Sequence, residues 1–392
     1  MRGRGIYAWG SGGAGQLGTR DELDYAVPRP ISVLGSLDDD VDATRRMEVV
    51  SGGCHSAGLT AHGQLYTWGE GKHGQLGYAV VAAPTTTSQL APRHVEGTSL
   101  VRTVACGWWH TIAVMEEATS SDSKTSHVHG WGHGHVPAFD RVHSLLRTFP
   151  MAISSVSCGW KHSLLATTDG HVYAWGRGRH GELALGSSIH EAARPAPVEG
   201  LPPTARVFCG WQHSVFLTTA GEVWSSGSNK HGQLGTGPVA VAYTPARVDT
   251  WQGATDRDRS ETAAAVVDMA VGWHHVVCVV NLVRKAVVYS WGKGDLGQLG
   301  HGEWTSEALP RPLRQLDDVI QVACGSEHTL LVTALGQVYS CGWGEHGNLG
   351  HDATVNVARP TAIAYFDDRN IRVTRCSAAG AVSLAVSIGD ST

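Results

Sequence analysis

The sequence has no long apolar run and no excess of positive charge. No stretch approaches the ~20 consecutive apolar residues that a transmembrane helix needs. The chain carries 30 Lys and Arg against 35 Asp and Glu, a formal net charge of −5, so no overall positive field draws it to nucleic acid or anionic membranes. We therefore predict no membrane contact, and contact with nucleic acid only through chromatin proteins.

The motifs of common enzyme classes are also missing. The chain contains no GxSxG, HExxH or P-loop sequence. A dinucleotide-binding fold uses the pattern G-x-G-x-x-G once, between a strand and a helix, whereas here it recurs without a helix pattern after it. Its five copies begin at Gly10, Gly69, Gly176, Gly292 and Gly342. These observations predict a non-enzyme without catalytic residues, cofactor or metal.

Glycine, in contrast, is abundant, with 49 of 392 residues, well above the usual ~7%. The excess lies in a repeated stretch whose clearest copy, QLYTWGEGKHGQLG, spans residues 64–77. Each copy opens with alternating β-branched, aromatic and small residues, as half-buried strands do, and then breaks into glycines suited to tight turns. Further copies begin at Ile6, His171, Glu222, Val287 and Gln337, and a damaged copy begins at His127.

A second motif, of the form Cys-Gly-x-x-His, precedes the copies of the first. We place its Cys position at residues 54, 106, 158, 209, 271, 324 and 376, which gives steps of 51 to 53 residues and one of 62. A period near fifty, built of short strands and glycine turns, is typical of a propeller or another closed repeat array.

The two ends of the chain carry incomplete repeats that complete each other. The first glycine motif has no His motif before it, and the last His-type motif has no glycine motif after it. Pairing residues 371–388 with residues 1–18 would make one composite blade and leave no open sheet edge. The sequence therefore predicts an all-β fold, a seven-bladed β-propeller of four-stranded blades, as a single domain over residues 1–392.

The cysteines and histidines of the second motif recur at fixed positions. We assign six of the eight cysteines to one equivalent position and interpret them as small buried hydrophobes, because equivalent positions lie a whole blade apart. Unpaired cysteines favour a reducing compartment, the cytoplasm or the nucleus. The motif histidines point apart by the blade rotation, so we expect them to hydrogen-bond backbone groups rather than a shared metal. They are His55, His110, His162, His213, His275 and His328.

The two residues between Gly and His in the second motif vary from blade to blade. They lie at a turn, so we expect them to project from one face of the disc, where four successive tryptophans would form an aromatic arc. Surface tryptophan clusters are typical of binding hot spots. The alternative is that each indole packs on its neighbour and stiffens the ring. The predicted partner-binding residues are Trp108, Trp109, Trp160, Lys161, Trp211, Gln212, Trp273, His274 and Glu327.

Together, the motifs CG-x-x-H-[ST] and YxWGxGxxGQLG resemble those of the regulator of chromosome condensation repeat family, from Ile6 to Val386. The resemblance implies a seven-bladed propeller, and the family includes the exchange factor for the GTPase Ran and plant UV-B photoreceptors. In the Ran factor the GTPase-contacting turn residues are mostly acidic or His, which Glu327 and His274 match here.

The same resemblance bears on light sensing. In the photoreceptor, coupled tryptophans at these turns sit beside arginines that bridge a dimer. This chain matches the tryptophans, but Trp109, Lys161, Gln212 and His274 stand where those arginines would be.

Three hypotheses follow from the sequence. The first is a non-catalytic protein-interaction propeller, with a small GTPase as a candidate partner and the oligomeric state left open. The second is guanine nucleotide exchange on a Ran-type GTPase, and the third is a UV-B photoreceptor that uses the tryptophan cluster. We also expect an insertion at residues 115–127 in the third unit to form a polar surface loop.

Overall fold

A computed structural model describes residues 5–31, 48–78, 87–98, 100–118, 124–133, 144–249, 251, 265–282, 286–314 and 316–388. Within these residues, 28 strands form seven four-stranded antiparallel sheets arranged as a propeller. The predicted all-β, seven-bladed β-propeller is confirmed. The innermost strand of each blade lines a central channel with a cavity of about 470 Å³.

The blades are numbered along the chain, and blade 1 takes strands from both of its ends. Blade 1 contains β1 (Ile6–Gly10), β2 (Tyr25–Pro30), β27 (Arg372–Ala379) and β28 (Val382–Ile388). Blades 2 and 3 contain β3 (Glu48–Ser51), β4 (His55–Leu59), β5 (Leu65–Glu70), β6 (Ser88–His94), β7 (Val101–Cys106), β8 (His110–Ala118), β9 (Lys124–Gly132) and β10 (Ser144–Phe149).

The later blades follow the same order from the channel outward. Blades 4 and 5 contain β11 (Ile153–Cys158), β12 (His162–Thr167), β13 (Val172–Arg177), β14 (Glu191–Pro197), β15 (Thr204–Cys209), β16 (His213–Thr218), β17 (Val223–Ser228) and β18 (Val241–Arg247). Blades 6 and 7 contain β19 (Ala265–Val271), β20 (His275–Asn281), β21 (Ala286–Gly292), β22 (Glu307–Leu313), β23 (Val319–Cys324), β24 (His328–Thr333), β25 (Val338–Gly342) and β26 (Val357–Ala362).

The two ends of the chain close the ring by pairing β1 with β28. The antiparallel register places Ile6 opposite Val386 and Gly10 opposite Val382. The predicted closure is therefore confirmed. It gives blade 1 the same four-stranded build as its neighbours and removes the exposed strand edges of an open array.

In blades 1, 2, 3 and 6, the tryptophan of the glycine motif hydrogen-bonds to the preceding blade of the ring. The indole nitrogen of Trp9 donates a 2.9 Å hydrogen bond to the carbonyl oxygen of Asn348, and that of Trp68 donates to Gln16 at 2.9 Å. Trp131 and Trp291 donate in the same way to Gln75 and Gln233. These indoles are almost wholly buried, so each adds a large apolar contact between blades to its hydrogen bond.

The insertion in the third unit forms strand more than loop, which corrects the expectation. Residues 115–118 extend β8, and residues 124–127 begin β9, with Lys124 Nζ 3.3 Å from Glu116 Oε2 across the hairpin. Residues 119–123 lie outside the described part of the chain. The described residues contain one short helix, α1 (Ala364–Asp367), and no helix among them has the length and apolarity to cross a membrane.

Candidate functional site

Each innermost strand ends in a tight turn at one mouth of the channel. At Gly159, an added Cβ would lie only 2.5 Å from Cε1 of His162, the histidine of the same motif copy. Gly107, Gly210, Gly272 and Gly325 meet their own motif histidines in the same way. Because the imidazole packs directly against the glycine, the backbone of the turn is fixed, and the two variable residues between them are held at the channel mouth.

The first copy of the Cys-Gly-x-x-His motif begins at Ser51, three residues before the predicted position at Cys54. In blade 2 the innermost strand ends at Ser51, and Gly52 packs on His55, so Cys54 occupies the second variable turn position rather than the strand end. Cys54 is thus the counterpart of Trp109 and Lys161. The sequence already indicates this difference, because Cys54 is adjacent to its histidine while Cys106 precedes His110 by four residues.

The buried motif histidines connect neighbouring blades through hydroxyl groups. His55 Nε2 lies 2.7 Å from Thr111 Oγ1, and that hydroxyl donates to the carbonyl oxygen of Gln75 at 2.8 Å. Since the hydroxyl donates its hydrogen to the carbonyl, the histidine must donate from Nε2. The acceptors are side-chain hydroxyls, not the backbone groups we expected. Equivalent pairs are His110 with Ser163, His162 with Ser214, His275 with Thr329, and His328 with Ser383.

His213 lacks this connection because Val276 stands where the other blades have Ser or Thr. Both ring nitrogens of His213 are buried without a hydrogen-bond partner. We predict that Val276→Thr places a hydroxyl between His213 and the Gln233 carbonyl and stabilises the fold by about 1 kcal/mol.

The melting temperature measures this effect, with Thr329→Val as the matched variant in the next interface. Thr329→Val removes an existing connection, so it should lower the melting temperature while Val276→Thr raises it. A lower melting temperature for Val276→Thr would contradict this account of the interface.

Four indoles of the first variable position converge over the channel mouth; we call Trp108, Trp160, Trp211 and Trp273 the tryptophan cluster. Trp160 and Trp211 stack with ring centroids 4.4 Å apart, and Trp211 meets Trp273 at 4.3 Å. Trp108 lies 5.6 Å from Trp211 and 5.2 Å from Trp273. The predicted arc is therefore a compact cluster, because the turns lie near the channel axis and an indole is large enough to reach across it.

The tryptophan cluster remains partly exposed, unlike the tryptophans of the glycine motif. All four of its side chains are half-buried, whereas Trp9, Trp131 and Trp291 are completely buried. The cluster therefore presents contiguous indole surface at one end of the channel.

The second variable position surrounds the tryptophan cluster with side chains of different chemistry. The ammonium group of Lys161 lies 3.7 Å from the centroid of the Trp160 ring, a cation–π contact. Trp109 contacts His73 and His133, with centroids at 5.6 and 6.3 Å. Gln212 is half-buried beside Trp211 in the same turn.

His274 and Glu327 belong to a polar network in blades 6 and 7. Glu327 is only 7% exposed and accepts hydrogen bonds from Gln298 Nε2 at 2.6 Å and Lys293 Nζ at 3.1 Å, while His274 Nδ1 lies 3.5 Å away. Burial alone would raise the pKa of Glu327, but its contacts with His274 and Lys293 outweigh it and lower that pKa to about 2. Glu327 is therefore a charged, internally paired residue and not a projecting one.

The cysteines along the channel are unreactive thiols. All eight cysteines are free. Burial raises the pKa of the Cys158 thiol to about 12, and burial and the Glu70 charge raise that of Cys54 to about 11, so neither thiolate forms near neutral pH. Among the described residues, no group of three or more His, Cys, Asp or Glu side chains has an arrangement that could hold a metal ion.

Imidazoles of the glycine loops border the tryptophan cluster, although they are not among the predicted partner-binding residues. His73 and His133 lie 5.3 Å apart beside Trp109, and His231 lies 5.1 Å from His274. Histidine recurs in the loops of residues 69–77, 176–186 and 227–235. Because the glycine loops and the motif turns end at the same mouth of the channel, this recurrence could have predicted that these histidines lie near the motif turns.

Comparisons with known proteins agree with this architecture. The model of the RCC1-like domain matches residues 5–385. The ultraviolet-B receptor UVR8 of Arabidopsis thaliana is 28% identical over 79% of this chain and 66% of its own length. The secretion-regulating guanine nucleotide exchange factor of Mus musculus is 30% identical over 83% of this chain and 72% of its own.

A solved structure shows the same fold at lower identity. Prp20p of Saccharomyces cerevisiae, described with its binding properties to Gsp1p and histones, aligns with a TM-score of 0.80. It is 20% identical, and the alignment covers 100% of this chain and 93% of Prp20p.

Proposed function

Because this chain belongs to the RCC1-like domain family, we propose that it is a non-enzymatic interaction propeller that docks a protein partner on the tryptophan cluster. The observation that carries the proposal is the partial exposure of four indoles packed against each other at one channel mouth. A purely structural tryptophan would be buried between blades, as Trp9 and Trp291 are.

The packing within the cluster suits it to binding. Trp211 contacts Trp108, Trp160 and Trp273, so the indoles are held in place before a partner arrives. Side chains that are already ordered lose less conformational entropy on binding, and aromatic anchors in a central patch dominate many interfaces. Half-buried Trp109 and Gln212 would complete the rim of this surface.

We propose a small GTPase as the class of partner, and guanine nucleotide exchange as the finer form of the function. The support is the 30% identity with a secretion-regulating guanine nucleotide exchange factor. Exchange needs no bond chemistry, because the factor only has to stabilise the nucleotide-free GTPase. The test is the rate at which labelled GDP is released from each of a panel of small GTPases. If a GTPase binds the propeller but its GDP is not released faster, the exchange function is contradicted and only the docking function stands.

Ultraviolet-B sensing is the second candidate, and the ring geometry favours it. Indoles at 4.3 to 5.6 Å are close enough to share excitation, and a plant ultraviolet-B receptor is 28% identical. Gel filtration before and after ultraviolet-B irradiation tests this candidate. A change in molecular size on irradiation supports it, and an unchanged elution volume contradicts it.

A further inference from the structure

The mouth of the channel that carries the tryptophan cluster is unevenly charged. The turns and glycine loops of blades 4 and 5 (residues 159–161, 176–183, 210–212 and 227–234) contain Lys161, Arg177, Arg179 and Lys230. Their one acidic residue, Glu182, is buried, and burial raises its pKa. This half of the face is therefore basic.

The cations of blades 4 and 5 lie beside the cluster and are mostly unpaired. The backbone N–H of Arg177 donates a 2.8 Å hydrogen bond to the carbonyl oxygen of Lys161, so the loop that carries Arg177 and Arg179 lies against the turn that carries Lys161. Burial and the charges of Arg177 and Arg179 also lower the pKa of Lys161. Arg177 has an exposed partner in Glu191 at 3.5 Å, a weak kind of pair. No described carboxylate lies within ion-pair distance of Lys161, Arg179 or Lys230.

The opposite half of the same face has the other sign. In blade 6, Lys293 is paired with Asp295 at 3.4 Å and with Glu327 at 3.1 Å. The loop of blade 7 carries exposed Glu345, and Asp24 of blade 1 lies beside it through its contact with His346. An anion is therefore attracted to blades 4 and 5 and repelled from blades 7 and 1.

From this arrangement we propose that the partner contacts the cluster with an acidic protein segment that also carries apolar side chains. Its carboxylates would lie against Lys161, Arg179 and Lys230, and its apolar side chains against Trp160 and Trp211. This inference rests on the proposed docking function and adds the chemistry of the docked segment. Complementary charge of this kind fixes orientation and excludes wrong partners.

A short protein segment fits these charges better than a nucleic acid strand. Among the described residues, the basic area lies on blades 4 and 5, because Lys72 in the equivalent loop of blade 2 is accompanied by Glu70. A continuous phosphate backbone leaving this area would meet the acidic half of the face. The chain as a whole carries a net charge of −5, which opposes a long polyanion.

The test uses a fluorescein-labelled peptide of alternating Glu and Leu, with binding followed by fluorescence anisotropy. The intact propeller should bind this peptide, and the double variant Lys161→Gln/Arg179→Gln should bind it about tenfold more weakly. Lys72→Gln is the matched control, because Lys72 is exposed at the equivalent loop position of blade 2. The Lys72→Gln variant should bind the peptide as tightly as the intact propeller does. Added salt should weaken the binding of the peptide to the intact propeller.

Four results would overturn the inference. They are no binding of the Glu-Leu peptide, equal binding of a matching Lys-Leu peptide, tighter binding of a single-stranded oligonucleotide of equal length, and a weakening by Lys72→Gln equal to that of the double variant. If the peptide does not bind but Trp160→Ala/Trp211→Ala still abolishes capture of a GTPase, this inference fails and the docking function stands. If that tryptophan variant retains capture, the docking function itself fails.

Discussion

Lowering the pH from 6.5 by one unit is expected to destabilise the folded propeller by about 4 kcal/mol. The cause is a set of imidazoles buried between blades, whose pKa burial lowers from 6.5 to about 3 or about 4. In the unfolded chain they regain a pKa near 6.5, so acid favours unfolding. The contribution of each buried histidine to the free energy of unfolding falls by about 1 kcal/mol over the first pH unit below 6.5 and by ~1.4 kcal/mol over each further pH unit. They are His55, His162, His275 and His328.

The size of this effect is comparable with the whole stability of a typical domain, about 5–15 kcal/mol. Glu327 does not offset it, because the stabilisation that its lowered pKa provides is present above pH 4.5 and is lost only as the pH falls toward about 2. Urea unfolding at pH 6.5 and one unit to either side measures the free energy of unfolding directly. A free energy that is constant across this range would contradict the neutral, buried state of the histidines.

Replacing Gly10 with Ala is expected to destabilise the protein by about 3 kcal/mol or more, because Gly10 ends the strand that closes the ring. Gly10 has a φ of +104°, in the region that favours glycine, and it pairs with Val382 across the closure. An added Cβ would lie 2.1 Å from the carbonyl oxygen of Ala381. That oxygen accepts the Ser11 backbone N–H at 2.9 Å, so neither strand can move away without losing contacts.

Gly13→Ala is the matched control for this prediction. Gly13 lies in the same loop, is exposed, and has no atom within 4 Å of the site of an added Cβ. Its substitution should change the free energy of unfolding by no more than about 0.5 kcal/mol. Urea titration of both variants beside the parent protein gives the comparison. Equal stability of the two variants would mean that the closure at Gly10 does not limit the stability of the ring.

The fold and its closure were predictable because their signals are periodic. A repeat near fifty residues, with one half of a repeat left over at each end, allows few arrangements other than a closed ring. That arithmetic predicts that the two ends of the chain pair, and the structure places Ile6 opposite Val386. Cys54 shows where prediction from the repeat fails. Its residue type assigns it to the Cys position, although it is adjacent to His55 and the motif cysteines of the other copies that contain the histidine precede it by four residues.

The shape of the tryptophan cluster could not be predicted from the same pattern. Whether Trp108 and Trp273, three blades apart, come within 5.2 Å depends on the width of the channel mouth, which no local sequence encodes. The burial of Glu327 depends likewise on Lys293 and Gln298, which lie on other turns. Sequence position placed the variable residues on one face, and the packing between blades decided which of them remain accessible.

The most direct measurement is the dissociation constant of the Trp160→Ala/Trp211→Ala variant for a GTPase that the parent protein binds. We expect the affinity to fall at least about a hundredfold, because two anchors are lost from the centre of the surface. The far-ultraviolet circular dichroism should stay unchanged. Trp304→Ala is the control, since Trp304 is 51% exposed outside the cluster and should leave affinity intact. An affinity that survives the double substitution would contradict the docking role of the tryptophan cluster.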